Sequence, residues 1–156
     1  MDPTTLIDNY LDGPQLLRKA VAGMSEEQLL ARPIPGKWST LEVICHLADF
    51  EIVFADRIKR VIAENEPTLF GGNPDLFAAR LACQQRNPEE ELLLVALIRQ
   101  QVARILRTLN AEDFQRRGIH SESGPLTLET LVQRITGHIP HHVRFIEEKR
   151  KAMAQS

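Results

Sequence analysis

Two of the five histidines, His138 and His142, stand four residues apart in a segment whose apolar residues recur at helical spacing. Leu128, Leu131 and Ile135 lead into them and Ile146 follows, so the pattern that predicts a buried stripe assigns both histidines to it. Side chains one helical turn apart have Cβ atoms about 5–6 Å from each other. Two imidazoles so placed can converge on one ion, and burying them without partners is costly. His46 lies in another amphipathic segment beside Val43, Phe50 and Val53, at the edge of its apolar face. A facing helix could carry it to the pair. Three histidines leave a coordination position open, as in catalytic zinc sites; closed structural sites use four protein ligands. Spacing alone also allows a second reading. Two histidines four apart arise by chance in many helices, and a histidine at a core edge is often simply hydrogen-bonded. No Glu follows His138, so the zinc-protease motif is excluded.

Other residues with chemistry cluster near these. Asp49 is about 60° around the helix from His46, placed to orient an imidazole or act as a base, or to be a surface acid. Glu51 falls on the apolar side of its helix, as a carboxylate near a pocket or the partner of a buried arginine. Cys45 points about 100° away from His46 and reads as a small buried residue. His141 is either an outer partner of the ligands or exposed, and His120 reads as a solvated loop residue. Pro140 between the paired histidines, with Gly137 before them, predicts a kink that aims the side chains. Trp38 is expected to anchor the loop entering its helix or, second, to wall a pocket.

Four main helices must position these groups. The first is predicted over 3–24, kinked or broken at Gly13-Pro14. A capping box from Ser25 to Gln28 opens a short turn. Ser39 and Glu42 form a second capping box for a helix over 39–64. A linker over 66–74 and a short helix over 75–83 follow. Asn87-Pro88 opens the third long helix, with Glu89, Glu90 and Glu91 at the positive end of its dipole. Its predicted stripe is Leu94, Leu97, Ile98, Val102, Ile105 and Leu109. A functional loop or crossover spans 110–126, and Thr127 caps the last helix, which runs to about 151. No alternating pattern calls for more than a few residues of strand, so the fold class is all-α, an antiparallel four-helix bundle forming one domain over 1–156.

Composition narrows the function. Hydrophobic residues are 43% and charged residues 26% of the 156, with a net charge of -2. That is a globular balance with no basic field to attract nucleic acid. The basic clusters Arg57, Lys59, Arg60 and Lys149, Arg150, Lys151 read as solvated faces. Two cysteines without a disulfide or metal-binding spacing, no signal-peptide pattern and no apolar run of membrane-spanning length lead to the expectation of a cytoplasmic protein that does not bind membranes.

Three stretches, taken together, resemble the DinB-like (YfiT-like) family of metalloenzymes. They are Gly36-Lys37-Trp38-Ser39; His46-Leu47-Ala48-Asp49 followed by Glu51; and Gly137-His138-Ile139-Pro140-His141-His142. Their order and spacing agree with the family along nearly the whole chain. The resemblance implies up-down-down-up topology, a metal site on His46, His138 and His142, zinc or nickel as the ion, and a homodimer. It further implies a small-molecule substrate, with either S-transfer from a low-molecular-weight thiol such as bacillithiol, mycothiol or glutathione, or metal-dependent hydrolysis. A metal lowers the pKa of a ligated thiol or water, with Asp49 or Glu51 assisting as catalytic proton carriers. The alternatives are a non-catalytic metal- or ligand-binding stress-response bundle, and histidines that are merely structural.

Overall fold

The computed structural model describes residues 2–155. The predicted caps are all present. Asn87 opens a helix, and Ser25 and Ser39 form reciprocal capping boxes with Gln28 and Glu42. Thr127 accepts from the Thr130 amide at the start of the last helix. The helices are α1 (Pro3–Val21), α2 (Glu26–Leu30), α3 (Thr40–Ala63), α4 (Pro74–Arg80), α5 (Pro88–Leu106) and α6 (Leu128–Ala154).

The long helices α1, α3, α5 and α6 form the bundle, and side-chain contacts fix their directions. Arg150 near the end of α6 donates to the Ala20 carbonyl at the end of α1, so these two run parallel. Arg18 reaches Glu89 at the start of α5, and Arg107 just beyond its end reaches Asp8, so α5 runs against α1. Lys59 late in α3 bonds Gln101 late in α5, making those two parallel. The order is therefore up-down-down-up. Parallel neighbours need a long return connection, which is the reason for the segment carrying α4 between α3 and α5.

The structure adds strands that the sequence pattern did not call for. β1 (Thr68–Leu69) pairs parallel with β2 (Arg117–His120), which pairs antiparallel with β3 (Gly124–Thr127). They are too short for alternation to show. A Cβ at Gly118 would lie 2.8 Å from Leu69 Cδ1, so glycine is what lets β1 approach. The loop expected over 110–126 is thus largely a hairpin that leads the chain into α6.

Two apolar clusters form the core. One gathers Leu6, Ile58, Val102 and Leu131; the other, Leu17, Ile44, Leu47, Val95 and Ile139. Between them lies Arg99, fully buried on α5. Its guanidinium donates to Glu51, to the Tyr10 carbonyl at 2.7 Å and to the Ile135 carbonyl at 2.8 Å, and it stacks on the Tyr10 ring. This one residue accounts for the oddities of α1. Pro14 has no N–H to give the Tyr10 carbonyl four residues back, and Arg99 takes that carbonyl instead. Gly13 leaves the guanidinium room, since a Cβ there would meet Arg99 Cζ at 3.0 Å and Ile139 Cδ1 at 3.1 Å. Helix α1 accordingly continues through Gly13-Pro14, so of the kink or break expected there the break does not occur. The buried stripe of α5 is centred on Leu92, Val95, Arg99, Val102 and Leu106, one step from the predicted one, and Leu97 is exposed.

Candidate metal centre

His46 sits two turns into α3, whose first turn is held by the Ser39–Glu42 box, and His138 and His142 face it from α6. The stripe of α6 runs through Ile135, Ile139, Val143 and Ile146, so the two histidines flank it rather than occupy it. That places them at the edge of the core, half-buried and within reach of a cavity. Helix α6 continues unbroken through Pro140.

The three Nε2 atoms converge. His46 Nε2 is 2.9 Å from His138 Nε2 and 3.2 Å from His142 Nε2. Burial holds all three rings neutral, pushing His46 and His142 down to about 4 and His138 to about 3. A neutral ring nitrogen carries one proton or one lone pair, so His46 Nε2 can bond only one of its two neighbours. The three Nδ1 atoms are also buried without a partner among the described residues. Protein groups therefore leave this cluster unsatisfied. A tetrahedral ion with nitrogens at 2.0–2.1 Å separates them by roughly 3.3 Å, close to the distances present. Three neutral imidazoles with convergent lone pairs fit a divalent ion, and His46, His138 and His142 would hold it. Aromatic rings enclose them: Trp38 packs 5.1 Å and Phe50 4.8 Å from His46, and Phe145 5.6 Å from His142, centre to centre.

The carboxylates expected to carry protons are placed elsewhere. Asp49 gives both oxygens to Arg86, at 2.9 and 3.0 Å, and Arg86 also binds Glu91. Asp49 orients no imidazole, because the Nδ1 atoms have no acceptor. Glu51 is sealed in the core by Arg99 and Tyr10. Burial pushes its carboxyl up while Arg99 pulls it back, and it cannot meet a substrate. Of the two readings of Glu51, the buried-arginine partner is the one realised. Cys45 is buried against Cys83 and Leu41, its thiol pushed up by burial, and is no ligand.

His120, Arg57 and Lys149 depart from expectation, whereas His141 and Trp38 each take one of the two readings open to them. His120 is buried on β2, its Nδ1 accepting the Glu122 and Ser123 amides across the hairpin turn. His141 is exposed beside Arg144. Two supposedly solvated cations are buried: Arg57, bonded to the Phe70 carbonyl, and Lys149. Trp38 lines a cavity of about 290 Å³ together with His142, Phe145 and Lys149, the second of its two expected roles. A long polar side chain amid polar neighbours gives no sequence signal of burial, which is why Lys149 and the β2 histidine were missed.

Comparison with known proteins gives one consistent answer. Residues 10–146 match the model of the DinB superfamily. A Geobacillus thermodenitrificans protein named "Putative metal-dependent hydrolase" is 30% identical over 140 residues, covering 88% of this chain and 78% of that protein. The structure of Bacillus subtilis YfiT, described as a probable metal-dependent hydrolase with an unusual four-helix bundle topology, superposes with a TM-score of 0.90 at 25% identity. That match covers 97% of this chain and 87% of YfiT. A mycothiol-dependent maleylpyruvate isomerase shares the fold, with a TM-score of 0.70 at 12% identity over 92% of this chain and 60% of the isomerase. With the up-down-down-up bundle and the histidine cluster already in view, the chain belongs to the DinB superfamily.

Proposed function

We propose that this protein is a metal-dependent enzyme that holds one divalent ion, zinc or nickel, on His46, His138 and His142, and acts on a small molecule. The observation that carries the reading is the convergence of three neutral Nε2 atoms, where His46 Nε2 can bond only one of its two neighbours. Family relatives named for metal-dependent hydrolysis support it. A divalent ion supplies Lewis acidity, lowering the pKa of a water or thiol. The chain's own residues hold the imidazoles within aromatic walls and leave His142 facing the cavity.

Hydrolysis and thiol transfer make different demands. A water nucleophile calls for a nearby base to take its proton, whereas a thiol already has a pKa near 8.5 before any metal acts. Glu42, Asp49 and Glu51, the carboxylates closest in sequence to His46, are all committed to arginines, which leaves Asp75 on the cavity wall as the acid near the centre. The commitment of the α3 carboxylates supports a low-molecular-weight thiol as cosubstrate, reacting with an electrophilic small molecule, whereas Asp75 acting as base would give hydrolysis. Metal analysis of protein purified without chelator, beside a His138→Ala variant, tests the centre. The expected result is near-stoichiometric zinc or nickel that the variant loses; a chain that takes up neither ion overturns the reading. Thiol-conjugation and ester-hydrolysis assays of the loaded protein then separate the two chemistries. Exposed Leu93 and Leu97 on α5 and Ile52 on α3 support a homodimer, to be checked by light scattering.

A further inference from the structure

The cavity beside His142 is lined by a buried lysine that has no ion pair among the described residues. Lys149, one of its wall residues, is only 3% exposed. Its ammonium donates to one acceptor, the Phe145 carbonyl one turn back, at 3.1 Å. No carboxylate oxygen of the described residues forms an ion pair with it. An ammonium has three donors, so two remain. Buried cations are rare unless paired. Burial pushes this lysine below the usual range; Glu148 and, more weakly, Glu42 act against that from beyond ion-pair distance, while Lys37 on the same wall adds to it.

The other cations differ: buried Arg99 has Glu51 and half-buried Arg86 has Asp49 and Glu91, while buried Arg57 donates to the Phe70 carbonyl and stacks on the Phe54 ring. Lys149 alone among these four lines a cavity with a histidine of the centre, and there it has one carbonyl acceptor and no ion pair. The remaining wall limits what could supply one. Trp38, Val43 and Phe145 are apolar, whereas exposed Asp75 and Glu148 are acidic and would repel a dianion. A single negative charge on an apolar body fits both conditions.

We propose that Lys149, aided by Lys37, is a carboxylate-binding point, so that the small molecule taken beside the three-histidine centre is a monocarboxylate with an apolar body. This rests on reading the cavity as the substrate site of the proposed enzyme. The anion completes the charge pairing that the fold leaves open, and its apolar part packs between Trp38 and Phe145, directing the far end toward His142.

The test uses metal-free full-length protein titrated with benzoate, with benzamide as the neutral counterpart and inorganic phosphate as the dianion. Calorimetry is followed together with fluorescence of Trp38, the single tryptophan. Benzoate is expected to bind saturably, and benzamide at least about tenfold more weakly, as befits loss of a charge-assisted hydrogen bond. Lys149→Met should lose the preference and Lys149→Arg should keep it; thermal melts report whether each variant is folded. Equal binding of benzoate and benzamide, tighter binding of phosphate, no saturable binding, or full preference in a folded Lys149→Met overturns the proposal. The benzoate–benzamide comparison needs no variant, so it stands even if Lys149→Met does not fold. Zinc uptake measured on the same samples separates the two readings. Zinc without benzoate overturns this one alone, and benzoate without zinc overturns the metal centre alone.

Discussion

The bundle buries two polar clusters a few turns apart, and they are built on opposite principles. Around Arg99 every group has a partner: Glu51 takes the charge, the Tyr10 and Ile135 carbonyls take further donors, and the Tyr10 hydroxyl donates to Glu51 at 3.3 Å. Even the backbone was adapted to it, through Gly13 and Pro14. Around His46 the reverse holds, with three nitrogens crowded together and three more left without acceptors. A satisfied network specifies structure, whereas an unsatisfied one is stabilised by something from outside. The presence of buried polar residues does not separate a site from a scaffold; the completeness of their pairing does.

The largest test of that contrast removes one member from each cluster. Arg99→Met strands the Glu51 carboxylate in the core and should cost about 3–5 kcal/mol in denaturant unfolding. His138→Ala in metal-free protein removes an unsatisfied group along with its packing, so stability should stay within about 1 kcal/mol of the parent. Zinc at a hundredfold its Kd should then stabilise the parent by about 2.7 kcal/mol and the variant not at all. A His138→Ala loss as large as that of Arg99→Met would erase the distinction.

Gly13→Ala probes the satisfied side more gently. Alanine raises helix propensity by up to about 1 kcal/mol, but here the added methyl would press on the guanidinium. Overpacking typically costs about 1–3 kcal/mol, so a net loss in melting temperature is expected. A net gain would mean that Arg99 shifts freely and that its network is looser than its bonds imply.

The unsatisfied side has a pH signature. In the folded, metal-free protein burial holds the three histidines at about 3 to 4, against an unfolded value near 6.5. Between those values the unfolded chain binds more protons, so stability rises with pH there. Equivalently, it is complete above about 6.5 and is lost as pH falls toward 4. Denaturation at a series of pH values should show that slope, and His142→Ala should reduce it by up to about one proton. An unchanged slope would mean that the ring is already solvated.

How much of this was legible in the sequence follows the same division. Caps are local, so Ser39 with Glu42, Asn87 and Thr127 announced their helices from composition alone. The histidine trio was visible because His138 and His142 stand one helical turn apart beside an apolar stripe, and the family-like stretches tied His46 to them. Pairing was not visible. Arg99 reads as a polar residue on an amphipathic helix, and no local rule says that Glu51, 48 residues away, will neutralise it. Lys149 reads as one of a basic run, yet only the three-dimensional packing buries it. The strands escaped because two to four residues are too few to show alternation, and β1 depends on a partner some fifty residues distant.

Asp49 gives the smallest and sharpest measurement. It stands one turn from His46, where a carboxylate that holds a ligand imidazole would be sought, and removing such a partner typically costs 10–100-fold in metal affinity. Its oxygens are instead committed to Arg86, which braces α3 against the segment leading into α5. Asp49→Asn should therefore change zinc affinity by no more than about threefold, the residue of a more distant charge effect, while lowering stability modestly as Arg86 loses one of its two carboxylates. Competition with a chromophoric chelator reads the affinity, and a parallel melt reads the stability. A tenfold loss of affinity without loss of stability would place Asp49 with the histidines, because a brace acts on both quantities and an orienting carboxylate acts on the metal first.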